Sequence, residues 1–128
     1  MIEAKDLRLG NWLMYNGKFW QVDSLSDFPI IGICDDTHES IIGEQSASPI
    51  QLSSEILEKC GFVLNGYYYK RQPEFENIEY RLIEFPSGTW IVSKGFINYN
   101  HEITAIKYLH QLQNLYFALT NTELIINL

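Results

Sequence analysis

The sequence predicts an α+β fold: several short antiparallel hairpins and two segregated helices, the longer near the C-terminus. Three observations predict it. Turn-forming runs, Asn16-Gly17, Asn65-Gly66 and Pro86-Ser87-Gly88, each separate two segments rich in β-branched and aromatic residues. Residues 53–60 and about 105–119 instead carry apolar side chains at helical spacing. The 128 residues hold no repeat of about 20 to 50 residues, no low-complexity tract and no Pro/Gly/Ser-rich linker, so 1–128 reads as one domain.

In chain order, Asn16-Gly17 favours a type I′ turn because both residues tolerate positive φ, and it joins strands over 11–15 and 18–24. A two-residue loop sets Tyr15 opposite Lys18, Met14 opposite Phe19 and Leu13 opposite Trp20. Leu13, Tyr15, Trp20 and Val22 then share one face, and Trp12, Met14 and Phe19 the other. With both faces apolar, the hairpin is either sandwiched in the fold or presents aromatic surface to a partner. Short strands over 30–35 and 41–44 form a further hairpin. The first helix, 53–60, takes Ser53 or Ser54 as N-cap and Gly61 as its C′ residue, and buries Ile56, Leu57 and Cys60. Asn65-Gly66 predicts a tight hairpin of 62–64 with 67–71, placing Phe62, Leu64, Tyr67 and Tyr69 on one face. Pro86-Ser87-Gly88 joins 80–85 to 89–93. The second helix, from Ala105 or Lys107 to Leu119, carries Tyr108, Leu112, Leu115, Tyr116 and Leu119 as its apolar stripe.

Composition excludes several classes. With 46% hydrophobic and 20% charged residues the chain is neither disordered nor a coiled coil, and two cysteines fall short of a secreted disulfide framework. Nine Lys+Arg against sixteen Asp+Glu give a net charge of −7, which repels a phosphate backbone. The imbalance is local: from Asp23 to Glu58 there are eight acids and no Lys or Arg, an acidic face or rim. Met1 to Gly10 has no apolar run of about 7 to 15 residues, so no signal peptide is expected. The longest uncharged run, 15 residues from Tyr108 to Thr122, is too short and too polar for a membrane span. A cytoplasmic protein without a membrane partner is the expectation.

The second helix is the most unusual segment, for His110, Gln113, Asn114 and Phe117 share the face opposite its stripe and no charged residue interrupts it. A face of imidazole and amides belongs either to an internal network tying the helix to strand edges or to a contact with a ligand or protein. No acid or nucleophile adjoins His110 to form a catalytic relay. Cys34-Asp35-Asp36-Thr37-His38-Glu39 gathers metal-binding residue types, but its spacing matches no zinc or calcium loop and reads as a polar hairpin tip. Cys34 and Cys60 read as packing residues. Lys70-Arg71 with Gln72-Pro73, after three tyrosines, has the makings of a phosphate site, but Glu74, Glu76 and Glu79 oppose it. Gly-rich phosphate loops, nucleophile elbows and Walker lysines are absent, so no cofactor is expected.

Leu7-Arg8-Leu9-Gly10-Asn11-Trp12 with its Asn16-Gly17 turn is one of three segments that carry a resemblance. The second is Pro49-Ile50-Gln51-Leu52 followed by Ile56-Leu57-Glu58-Lys59-Cys60-Gly61-Phe62. The third, Ile106-Lys107-Tyr108-Leu109-His110-Gln111-Leu112-Gln113-Asn114-Leu115-Tyr116-Phe117-Ala118-Leu119-Thr120, is the most specific. Together they resemble a family of small uncharacterised proteins common in Bacteroidetes genomes, their phages and mobile elements. In that family Gly often follows the residue equivalent to Thr120; Asn121 stands here, the next best residue for a left-handed cap. The resemblance implies a phage-type or mobile-element-type accessory protein and supplies no reaction. The opening strand-turn-strand is also similar to the first hairpin of a small SH3-like barrel, which implies such a barrel for the N-terminal half and by itself no function.

The functional expectation is a non-enzymatic protein-interaction module with a protein partner, a host factor among the candidates. Trp12, Tyr15 and Trp20 are its anchors, and His110, Gln113 and Asn114 further binding residues. The alternative is a small-ligand, nucleotide-like sponge or host-defence inhibitor, in which an oligomer encloses its ligand between aromatics and the amide face. A metal-dependent enzyme on Asp35, Asp36, His38 and Glu39 is the third and weakest reading.

Overall fold

Asn16 and Gly17 both take left-handed φ, 56° and 76°, as the type I′ turn requires. The strands they join, β1 (Trp12–Tyr15) and β2 (Lys18–Ser24), pair with Leu13 opposite Trp20 and Met14 opposite Phe19, the register expected. The computed structural model describes residues 2–25, 29–72, 75–96 and 99–128. It divides the chain into two compact units, Met1–Gln51 with Tyr108–Asn114 and Leu52–Lys107 with Leu115–Leu128.

In the first unit β1 and β2 continue into β3 (Ile30–Cys34) and β4 (Glu39–Gly43), an antiparallel sheet in the order β1-β2-β3-β4. A 3-10 turn, Glu44–Ser46, brings the chain back so that Ser48 exchanges both backbone hydrogen bonds with Met14 on the outer edge of β1, at 2.8 Å each. One face of the sheet is the core: Leu13, Trp20, Val22, Ile31, Ile33 and Ile42 are buried together, with Tyr15 packed against them.

The second unit opens with α1 (Ser54–Lys59). Ser53 caps it by accepting a hydrogen bond from the Ile56 N–H, and Gly61, at φ 85°, ends it. The Phe62 N–H then donates to Leu57 O and the Gly61 N–H to Glu58 O, the pair of bonds of a Schellman cap. The sheet that follows runs β5 (Val63–Leu64), β6 (Tyr68–Gln72), β7 (Phe75–Glu84), β8 (Trp90–Phe96) and β9 (Tyr99–Ile106), antiparallel in chain order. Tyr68, Leu82 and Val92 lie opposite one another across three strands and are all buried. The chain closes with α2 (Leu109–Thr120), ended by Asn121 at φ 55°. The fold is thus α+β, with two antiparallel sheets and two helices, and neither sheet closes into a barrel among the described residues. No helix among them is long and apolar enough to cross a membrane.

Three expectations need correction. The Asn65-Gly66 hairpin has a three-residue loop, since Leu64 pairs with Tyr68 and only Gly66 takes positive φ, 76°. Shifting the pairing by one residue exchanges faces, so Tyr68 is buried while Tyr67 and Tyr69 share the opposite face. Residues 99–106 form β9, an edge strand that the sequence does not announce: seven of its eight residues escape full burial, so no apolar alternation marks it. The second helix accordingly starts later, at Leu109, and its deep stripe is Leu109, Leu112, Gln113 and Tyr116, with Tyr108, Leu115 and Leu119 only half-buried.

Leu57 is fully buried one turn into a helix of only six residues, whose stability must come from packing rather than from length. Leu57→Ala is expected to lower the unfolding free energy by about 2–5 kcal/mol, read from the urea midpoint at unchanged slope.

Candidate functional site

Gln113, a polar residue in the middle of a buried helix stripe, fixes the start of β1. Its side-chain Oε1 accepts from the Trp12 N–H at 2.9 Å and its Nε2 donates to Gly10 O at 3.1 Å. These two backbone groups flank Asn11, and they are the pair that a residue of a parallel neighbouring strand would engage. One amide side chain thus substitutes for a strand. Asn114, the next residue, accepts on Oδ1 from Arg8 Nε at 3.0 Å and Asn11 Nδ2 at 2.8 Å, and donates from Nδ2 to Asp6 O at 3.1 Å. The Asn11 amide is itself buried, its Oδ1 accepting from the Arg8 N–H at 2.7 Å. Gly10 makes the arrangement possible with φ 89°, a conformation open to glycine at little cost.

The amide face is therefore internal within the first unit, and it joins the two most distinctive sequence segments, the Leu7-to-Trp12 stretch and the α2 stretch. His110, expected beside Gln113 and Asn114 as a binding residue, is 6% exposed and stacks on Tyr108 at 5.9 Å with ring planes 7° apart. Its Nδ1 is buried without a protein hydrogen-bond partner. Burial holds its pKa below the ordinary imidazole value, with the charge of Asp6 opposing that shift.

The structure divides the three aromatic anchors. Trp20 is buried, its indole N–H donating to Tyr15 O at 3.1 Å, and the Tyr15 ring meets it edge-on at 6.0 Å. Trp20 is thus a core group, and Tyr15, half-buried, packs against the core. Trp12 lies on the outward face, half-buried, in a row Trp12-Gln21-Cys34-Glu39 that crosses all four strands. Phe19, 37% exposed, shares that face. Sequence reasoning assigned Phe19 to the correct face and passed over it as an anchor, although the strand parity that turns Trp20 inward turns Phe19 outward.

The other candidate clusters resolve into local chemistry. In the β3–β4 turn the Asp35 carboxylate accepts from the Thr37 N–H at 2.9 Å and the His38 N–H at 2.7 Å. These bonds, the Thr37 one foremost, hold its carboxyl below the usual range. Among the described residues no three His, Cys, Asp or Glu side chains come together to hold a metal ion. The Cys34 thiol is pushed up, chiefly by burial and then by the charges of Asp23 and Glu39; burial pushes Cys60 up to about 12. Lys70 and Arg71, being strand neighbours, point to opposite faces, and the Lys70 ammonium lies against Gly61 at the C-terminal end of α1, where the helix dipole favours a cation. Pro73 and Glu74 of that stretch lie outside the described residues.

One feature of the second sheet has no signal in the sequence: Arg81 donates to Glu79 Oε1 at 2.8 and 3.2 Å and lies 4.9 Å from the Tyr67 ring centroid. It crosses Gly95 so closely that a β-carbon there would meet its guanidinium at 2.5 Å. No protein-family model, curated protein or solved structure matches the chain.

Gln113→Leu keeps the volume and leaves the Trp12 N–H and Gly10 carbonyl without the amide that serves them. A loss of about 2–4 kcal/mol is expected, with faster hydrogen exchange at the Trp12 amide; unchanged exchange there would refute the assignment. For His110 the unfolded chain titrates near 6.5 and the folded protein lower, so the unfolded state takes up the proton first. Its contribution is complete above about pH 6.5 and is lost as the pH falls below that value. Urea midpoints measured at pH 8 and pH 5.5 should drop further in wild type than in His110→Leu.

Proposed function

We propose that the chain is a non-enzymatic protein-interaction module of the phage or mobile-element accessory type, acting through the outward face of its four-stranded sheet. The observation that carries this reading is the fate of the polar side chains. Gln113 and Asn114, which could have recognised a small ligand, each have the side-chain oxygen and an amide N–H engaged by the backbone and side chains of residues 6–12. What faces outward instead is apolar and acidic: Trp12, Phe19 and Ile41 beside Asp23 and Glu39. Rigid aromatics surrounded by charge are the usual anchors of protein interfaces.

The SH3-like reading of this half draws support from its connectivity. Four antiparallel strands in chain order are followed by a 3-10 turn and a return of Ser48 to the outer edge of β1, a connectivity compatible with a small SH3-like barrel whose fifth strand would be a single bridge. Such barrels serve as adaptors on several surfaces, so the fold alone selects no partner.

A photo-cross-linking residue at position 19, introduced in the cell that makes the protein, is expected to capture a discrete protein, and Trp12→Ala is expected to weaken that complex by about 2 kcal/mol or more at unchanged melting temperature. The absence of any cross-linked protein, with a nucleotide-sized mass retained in the native mass spectrum, would replace this reading by the ligand-sponge alternative.

A further inference from the structure

The four-stranded sheet has two edges, and they are treated differently. The outer edge of β1 is closed by the Gln113 amide at Trp12 and by Ser48 at Met14. The outer edge of β4 carries no backbone hydrogen bond among the described residues. Proteins usually blunt such an edge with Lys, Pro or a covering element. β4, Glu39-Ser40-Ile41-Ile42-Gly43, has neither Lys nor Pro, and Ile41 is 78% exposed.

Beside this edge lies an open cleft of about 580 Å³, lined by Asp23, Ser24, Gly32, Glu39, Ser40 and Ile41. Its floor is shaped by two local irregularities. Asp23 is the extra residue of a bulge in β2, between Val22 opposite Ile33 and Ser24 opposite Gly32. Gly32 gives the room this needs, since a β-carbon there would meet Ser24 Oγ and, at 2.7 Å, Asp23 Oδ1. The bulge thereby sets a carboxylate over the strand beside the free edge, with Glu39 on the other side of the cleft.

We propose that this cleft and the β4 edge bind an extended, Lys/Arg-bearing segment of a partner protein, which adds to the sheet as a strand. The proposal rests on the interaction-module reading and supplies the partner's chemistry. The free edge asks for another extended backbone, because alternating N–H and C=O groups are complemented by a strand and by little else. Ile41 asks for an apolar side chain on alternate residues of that strand. Asp23 and Glu39, in a stretch from Asp23 to Glu58 without Lys or Arg, ask for positive charge. A second copy of this chain would present the same stretch without Lys or Arg and so lacks the positive charge that Asp23 and Glu39 ask for.

The test is titration of the full chain with a fluorescent (Lys-Val)5 peptide. The comparison is (Lys-Pro)5, which keeps the charge and cannot pair as a strand. Backbone amide signals of the protein are followed throughout. The expected result is saturable binding of (Lys-Val)5 with shifts confined to β4 and the cleft, at least tenfold weaker binding of (Lys-Pro)5, and at least tenfold weakening in the double variant Asp23→Asn, Glu39→Gln. Equal affinity for the two peptides, or no binding of either, overturns the proposal. Shifts on the Trp12–Phe19 side instead of β4 overturn it too and leave the interaction-module reading standing. Shifts at β4 on concentrating the protein without peptide assign the edge to a second copy. Loss of the position-19 cross-link with the β4 response intact would remove the broader reading alone.

Discussion

The first unit depends on a side-chain amide standing in for a strand. β1 begins at a sheet edge, and its first outward-facing groups would be left without partners by the sheet alone. Gln113 supplies both a donor and an acceptor at the spacing of a peptide group, and no charged side chain can do this, because a carboxylate only accepts and an ammonium or guanidinium only donates. The absence of Lys and Glu from α2 follows from the same requirement. A helix face that meets backbone must offer neutral groups able to satisfy both polarities, and a buried charge there would lose its hydration without a matching counter-charge.

Closing one edge in this way gives the sheet a direction. With β1 covered, β4 is the side on which the sheet can grow, and the bulge at Asp23 and the open position at Gly32 lie on that side. The second sheet shows a different solution to exposure. Arg81, held by Glu79 and covered by Tyr67, lies flat over Gly95, so a guanidinium plane shields backbone that a larger residue at position 95 would have covered itself. Fastened between an acid and an aromatic ring, Arg81 serves here as part of the packing.

Local rules carried the sequence reading where the chain obeys local rules. The Asn16-Gly17 hairpin, its register, a serine cap at position 53 or 54 and the Gly61 terminator each depend on a few adjacent residues and were legible, and the family resemblance pointed to Asn121 as the helix end. What failed depends on partners far away in sequence. Asn65-Gly66 has the same two letters as Asn16-Gly17 and a different loop, because β5 pairs over only two residues and cannot impose a register. β9 left no trace, since a strand exposed at an edge needs no alternation. The deep stripe of α2 was misplaced for an instructive reason: Gln113, being polar, was set on the face opposite the apolar stripe, whereas its partners, 101 and 103 residues earlier, make it part of the stripe, in the internal network that was one reading of that face. For the site, parity grouped Trp12 with Phe19 and Trp20 with Leu13, but with both faces apolar it could not tell which face is outward, and residue type alone chose Trp20 as an anchor.

The position of Asn114 shows how a distinctive sequence feature can be explained without a ligand. Its Oδ1 receives two donors, Arg8 Nε and Asn11 Nδ2, while its Nδ2 faces the Asp6 carbonyl. Aspartate would keep both acceptor bonds and even strengthen the one from Arg8, yet it would set a carboxylate oxygen against a carbonyl oxygen. Leucine would leave three polar groups without a partner. Only an amide of this length satisfies all three, so hydrogen-bond polarity alone fixes the residue. The carbonyl oxygen and one amide N–H of Asn114 are thus committed to the fold. The side chains left available by the fold are others: Phe19, Ile41, Asp23 and Glu39, each exposed. On this chain the most unusual segment makes the structure, and the surface proposed for recognition is built from residues brought together by strand parity and one bulge.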